Sequence, residues 1–189
     1  MRVLVACEYS GRVREAFKAK GHDAWSCDIL PTEIPGNHFQ EDVLGVLDRG
    51  WDLMIAHPPC TDLAISGARW FPEKIQDGRQ QRAIDFFMEL ASANIPHIAV
   101  ENPISIISSK WRKPDQIVHP WMFGEPYSKS TCLWLKGLPL LTPTNIVDKG
   151  EFVIHGGKRI AKWYSNREFA RDKTFQGIAN AMAEQWGNL

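Results

Sequence analysis

Two short segments carry residues able to do covalent chemistry together. His57-Pro58-Pro59-Cys60 sets a thiol directly after two prolines, and Glu101-Asn102-Pro103 sets a carboxyl group directly after the apolar run Ile98-Ala99-Val100. A thiolate is a strong nucleophile, and a carboxyl group of suitable pKa can hand over a proton. The two prolines stiffen the backbone, so Cys60 is expected to face a cleft rather than the core. Cys7, Cys27 and Cys132 read instead as buried small hydrophobes, the common fate of a lone cysteine. The four cysteines include no Cys-x-x-Cys pair, which argues against a zinc site and against a disulfide framework.

A second set of polar residues also falls at predicted strand ends. Cys7-Glu8-Tyr9-Ser10-Gly11 follows the first strand, Asp28 and Ile29 close the second, and Asp42 follows the third. A glycine turn between a strand and a helix brings backbone donors close to a ligand. Asp28, 17 residues after Gly11, is placed to accept hydrogen bonds from both hydroxyls of a ribose, and Asp42 to hold an adenine amino group. Together they describe a site for an adenosine-containing cofactor. The plainer alternative is a tight turn and two helix-capping aspartates.

The elements that must position these residues alternate, as in a parallel α/β sheet. Strands are expected at Arg2 to Ala6, Asp23 to Cys27, near Asn37 to Gln40, Asp52 to Ala56, Ile98 to Val100 and Thr131 to Leu135. Helices are expected from about Arg12 to Lys20, capped by Ser10 and stopped by Gly21, from Gly78 to Ala93, and from Gln176 to Trp186. Ala68 to Asp77 and Asp148 to Lys173 read as long irregular segments, which in a compact domain tend to be functional. In open parallel sheets ligands bind outside the carboxyl ends of the strands, so five strand ends build one cleft.

At 189 residues, with 44% hydrophobic and 23% charged residues and no internal repeat or linker, the chain reads as one domain. No apolar run approaches a membrane span or a signal peptide, so a cytoplasmic protein is expected. Its 22 basic and 22 acidic residues cancel, which disfavours tight, sequence-blind nucleic-acid binding. A local basic patch is still compatible with that balance. Between 147 and 175 lie seven basic residues (Lys149, Lys158, Arg159, Lys162, Arg167, Arg171, Lys173), four acidic ones (Asp148, Glu151, Glu168, Asp172), and Trp163 and Tyr164. Interleaved cations and aromatics suit phosphate contact and base stacking, while a solvated loop with two packed aromatics is the equal alternative.

Here the motifs match a known family. Ile55 to Cys60 followed by Ser66-Gly67 resembles the Pro-Cys loop of DNA cytosine-5 methyltransferases, and Val100 to Pro103 resembles their Glu-Asn-Val motif. Val3 to Gly21 is similar to their first cofactor motif and its helix. Asp28 and Asp42 stand where the family keeps two further cofactor-binding acids, and Gly177 to Ala183 is similar to the closing helix of its cofactor pocket. The chain also resembles the compact members of this family carried by phages and prophages.

The resemblance implies a Rossmann-like, mainly parallel sheet with helices on both faces and S-adenosylmethionine as cofactor. Its contacts would be Glu8, Tyr9, Ser10, Gly11, Asp28, Ile29, Asp42 and Pro58. The substrate would be DNA, reached by base flipping, with Ser66, Asn102 and Lys129 at the substrate and Asn102 also helping to hold the loop. Cys60 would add to carbon 6 of cytosine while Glu101 protonates or hydrogen-bonds ring nitrogen 3, leaving carbon 5 nucleophilic. On this view residues 1–56 form the cofactor half, 57–146 the catalytic half, 147–175 an irregular basic and aromatic segment, and 176–189 the closing helix.

The chain departs from the family in several places. Cys7-Glu8 and Arg12 replace the usual Phe and two glycines, Thr61 replaces Gln, Pro103 replaces Val, and there is little room for a target-recognition domain before Gly177. The same chemistry on a free pyrimidine nucleotide or on RNA therefore remains a close rival. A decoy with a decayed site is a third reading. A cysteine hydrolase is the fourth, with His57 near Cys60 but no orienting group identified for it. No metal and no membrane contact is expected.

Overall fold

The computed structural model describes residues 1–162 and 173–189. Strands Arg2–Ala6 (β1), Asp23–Asp28 (β2), His38–Gln40 (β3) and Leu53–Ala56 (β4) run parallel. His97–Pro103 (β5) continues the parallel set beside β4. Gln116–Val118 (β6) and Thr131–Lys136 (β7) complete a seven-stranded sheet of order β3-β2-β1-β4-β5-β7-β6, with β7 antiparallel to both neighbours. Helices Arg12–Ala19 (α1), Phe71–Gln76 (α2), Arg79–Ala91 (α3), Ile107–Lys110 (α4) and Gln176–Trp186 (α5) surround it. Phe152–His155 (β8) and Lys158–Ala161 (β9) form a separate hairpin.

The alternation of side chains along β1 builds two cores. Val3 and Val5 pack with Val13 and Phe17 of α1 and Ile178, Met182 and Trp186 of α5. Leu4 and Ala6 point into the opposite layer, with Phe87 and Leu90 of α3 and Trp134 of β7. A strand covered on both faces must be apolar at every position, which is why Val3-Leu4-Val5-Ala6 is unbroken. Each fully buried large side chain contributes about 1.5–3 kcal/mol from removed apolar surface. The architecture is the mainly parallel α/β sheet, helices on both faces, expected from the sequence. No helix among the described residues is long and apolar enough to cross a membrane.

Three expectations need correction. The stretch 68–77 is not irregular: a 3-10 turn, Ile65–Trp70, runs into α2, with Pro72 in the first turn where it lacks no needed donor. Ala68, Phe71 and Ile75 fall at helical spacing, but three residues over about two turns make too short a run to stand out. The segment 148–173 contains the β8–β9 hairpin, whose turn residues Gly156 and Gly157 both take positive φ. That is the two-residue Gly-Gly hairpin turn, masked by the surrounding charge. Trp163, Tyr164, Arg167, Glu168, Arg171 and Asp172 lie outside the described residues. Finally, β5 does not stop at Val100. Its partner β4 ends at Ala56, but β7 goes on pairing with it through Glu101, Asn102 and Pro103.

Candidate active site

The strand order reverses between β1 and β4, and the crevice at their carboxyl ends is the natural ligand site of such a sheet. Cys7 leaves β1 with φ 58°, the one left-handed residue other than glycine among those described. This turn folds Glu8 back under α1. Glu8 is 5% exposed, and its carboxylate accepts the Val13 N–H at 2.7 Å, the Arg14 N–H at 3.2 Å and the Ser10 hydroxyl at 3.1 Å. Glu8 therefore caps α1. Ser10, expected as the cap, takes the Arg12 N–H at 3.3 Å, and Gly11 occupies the N-cap position. Gly11 has φ 77°, and a Cβ there would lie 2.7 Å from the Arg14 guanidinium and 3.1 Å from Ile34. Only glycine meets both demands.

Asp28 and Asp42 end β2 and follow β3. Each commits Oδ1 to a backbone N–H two residues on, Leu30 at 2.9 Å and Leu44 at 3.0 Å; Asp42 thereby caps the 3-10 turn Val43–Gly45, whereas the chain runs from Asp28 to β3 without a helix and the Asp28 bond closes a turn. Both carboxylates also bear on Cys7. Burial pushes the Cys7 thiol far up, and the charges of Asp28, Cys27 and Asp42 push it further. Ile29 beside Asp28 is 74% exposed. Two convergent carboxylates with an exposed aliphatic face suit ribose hydroxyls and a base, so these residues fit an adenosine-type ligand. Tyr9 and Ser10 line a cavity of about 10 Å³ with Cys7, Glu8, His57 and Thr174. The approach to α5 closes over this turn: Thr174 O accepts from Arg12 at 3.1 Å, and Lys173 reaches the Glu33 carboxylate at 2.6 Å.

The loop after β4 is built to present Cys60. Pro58 is buried, and its carbonyl accepts from Asn102 Nδ2 at 3.0 Å. Pro58, expected among the cofactor contacts, is buried, and Asn102, expected to help hold the loop as well as to lie at the substrate, is 1% exposed and holds the loop. Lys74, a buried cation the sequence reading missed, lies 3.0 Å from Asp62 and donates to the Thr61 carbonyl. Ile65 N–H to Ile104 O (3.1 Å) and Ile106 N–H to Leu63 O (3.0 Å) stitch this loop to the one after Pro103. Asn102→Ala is expected to destabilise the fold by about 1–3 kcal/mol by orphaning the Pro58 carbonyl. Denaturant unfolding measures it.

Cys60 is half-buried and lines a cavity of about 560 Å³, within the range of small-molecule sites. Ser66 and Lys129, both expected at the substrate, line it too, together with Pro103, Ile104 and, from the β8–β9 hairpin, Ile160 and Ala161. The other cysteines are held as thiols. Burial, then the Glu41 carboxylate, pushes Cys27 up to about 11; burial, then Glu101, pushes Cys132 up to about 11.

Glu101 sits at the same end of the sheet, because Ala56 of β4 pairs with Val100 of β5. Its Oε2 lies 3.1 Å from His57 Nδ1, with the two side chains 15% and 10% exposed. Burial raises the Glu101 pKa, but the His57 hydrogen bond, the Lys129 charge and the His57 charge together outweigh it and hold the carboxyl below its ordinary range. His57 Nε2 is buried and has no hydrogen-bond partner among the described residues. The sequence signal for this pair was a histidine three residues before Cys60, noted without its carboxylate partner.

No family profile and no curated protein matches the chain. Among solved structures it is similar to a protein provisionally described as a DNA modification methyltransferase encoded within a prophage (E. coli), with a TM-score of 0.53 and 17% identity. The match covers 78% of this chain and 52% of the other, so the chain spans about half that protein's length. The shared feature is the fold, a Rossmann-like, mainly parallel α/β sheet.

Proposed function

We propose that this chain is an S-adenosylmethionine-dependent methyltransferase acting on carbon 5 of cytosine in DNA through a covalent Cys60 adduct. The observation that carries the reading is the Ala56–Val100 register. It brings the Cys60 loop and Glu101 to one sheet end; Cys60 lines a cavity large enough for a pyrimidine nucleotide, and Lys129 of that cavity is near enough to Glu101 to act on its charge. The fold shared with the prophage-encoded protein supports the reaction class.

Asp28 and Asp42 would hold the adenosine portion of the cofactor, with Ile29 against the base and the Tyr9-Ser10-Gly11 turn beside it. When bound, the cofactor supplies an electrophilic methyl group. Cys60 adds its sulfur to carbon 6, and Glu101 serves ring nitrogen 3, so carbon 5 gains enamine character. Ser66 and Lys129 are placed to contact the nucleotide, and Asn102 keeps Cys60 in reach by fixing the loop. Asp28→Ala is expected to weaken S-adenosylmethionine binding at least about tenfold, the loss of a charge-assisted hydrogen bond. Calorimetry on the folded variant reads it directly.

The test is transfer of labelled methyl to duplex DNA, single-stranded DNA, RNA, cytidine and deoxycytidine nucleotides. Label in DNA as 5-methylcytosine supports the proposal. Label in free nucleotides alone would replace the substrate with the second reading, which the balanced 22 and 22 charges favour. Cofactor binding without transfer to any substrate would overturn the catalytic reading in favour of a decoy. Glu101→Gln is expected to slow transfer by about 10²–10⁴-fold, the usual worth of a positioned acid–base group. Single-turnover rates at saturating DNA measure it.

A further inference from the structure

Glu101 carries an unexplained neighbour. A carboxylate held ionised has no proton of its own to give to a ring nitrogen, yet ring nitrogen 3 must gain one when sulfur adds at carbon 6. His57 is the residue whose side chain contacts Glu101 by a hydrogen bond, Nδ1 to Oε2 at 3.1 Å, with both side chains at least 85% buried. Since Oε2 of a carboxylate only accepts, Nδ1 is the donor and Nε2 is the basic nitrogen. Nε2 has no hydrogen-bond partner among the described residues, and His57 lines the cavity of about 10 Å³ next to Ser10 and Thr174, at the threshold for one water. The imidazole thus stands between that cavity and the carboxylate.

We propose that His57 is a positioning residue for the pyrimidine site: it aims Glu101 and passes it the proton that ring nitrogen 3 takes up. The inference rests on the methyltransferase reading above. As the sulfur–carbon 6 bond forms from the thiolate pair, the carbon 5–carbon 6 π pair moves to carbon 4–carbon 5. The carbon 4–nitrogen 3 π pair moves onto nitrogen 3. The Nδ1 proton passes through Glu101 to that nitrogen, while Nε2 takes a proton from water. After carbon 5 has gained its methyl group, loss of its proton to water restores the carbon 5–carbon 6 double bond and expels Cys60 as thiolate. Nitrogen 3 then returns its proton through Glu101 to Nδ1, and Nε2 releases one to water. The cycle leaves His57, Glu101 and Cys60 as they began. Among the described residues, the charged or titratable groups acting on Glu101 are His57, Lys129 and Cys132, so its titration reads this pair and these two neighbours.

The experiment uses the full chain in three forms, wild type, His57→Asn and His57→Ala, each checked by thermal unfolding. Glu101 is followed by carboxyl carbon NMR of glutamate-labelled protein, assigned by the signal missing in Glu101→Gln, with no cofactor or substrate present. An upward shift of its titration midpoint in His57→Ala is expected, largely reversed in His57→Asn, whose amide can donate to Oε2 but cannot pass a proton on. In methyl transfer, His57→Asn is then expected to lower kcat by about 100-fold with KM unchanged. A midpoint that does not move in His57→Ala overturns the pairing, and His57→Asn with wild-type kcat overturns the proton role. If wild type transfers no methyl group to any substrate while the midpoint still shifts, the methyltransferase reading falls and the His57–Glu101 pair stands. Should His57→Ala fail to fold, His57→Gln, which displaces the donor by one bond, takes its place in the titration.

Discussion

Cys60→Ala binds S-adenosylmethionine as tightly as wild type and loses methyl transfer by more than about 10⁴-fold, the scale of removing a nucleophile from a site that otherwise still binds its substrate. The expectation is this large because no other cysteine can substitute. Cys27 and Cys132 are buried and pushed up to about 11, and Cys7 is held still further up by burial and by Asp28. Of the four cysteines, Cys60 is the one that lines the 560 Å³ cavity. The loop keeps its anchors in the variant, because Asn102, Lys74 and the backbone bonds to Ile104 and Leu63 remain. The measurement is label transfer to DNA alongside cofactor calorimetry and thermal unfolding. Transfer retained within tenfold of wild type would remove Cys60 from the chemistry.

The largest expected stability effect lies far from that cavity. Trp186→Ala should cost about 3–5 kcal/mol, as other buried Trp and Phe truncations do. Trp186 is fully buried where α5 meets α1, packed with Phe17 and Met182, and its Nε1 donates to the Pro139 carbonyl at 2.9 Å. The substitution therefore opens a cavity and orphans a carbonyl together. For a chain of this length the melting temperature should fall by about 10 °C, and more if the loss is at the upper end. A second consequence is functional: α5 follows Lys173 and Thr174, which touch Glu33 and Arg12 over the glycine turn. Loosening α5 should weaken cofactor binding while leaving Cys60 in place. Calorimetry and denaturant unfolding of the same variant separate the two effects.

Much of the sheet was legible because its signal is local. Arg2–Ala6, Asp23–Asp28 and Leu53–Ala56 are short apolar runs ended by turn residues, and α3 and α5 carry apolar residues at helical spacing. The convergence of strand ends followed from the parallel topology alone, so Cys60 and Glu101 could be paired across 41 positions of chain. Lys129 and Ser66 were found beside the same cavity as Cys60. Elements too short or too polar to show a clear apolar period were not legible: α2, the three-residue β6 and the β8–β9 hairpin.

The composition and order of residues determined which side chains were available and at which strand ends they fall, because apolar patterning sets strands and prolines end them. Tertiary structure alone decided which polar group each one meets. Glu8 became the cap of α1, because the left-handed Cys7 swings its carboxylate beneath Val13 and Arg14. Arg14 was an unremarked helix residue until folding buried it fully against Ser26, Thr32 and Ile34, where it clamps the loop carrying Ile29. The His57–Glu101 contact joins residues 44 apart. Hydrogen-bond partners are selected by distance and burial in three dimensions, and neither quantity is written in spacing along the chain.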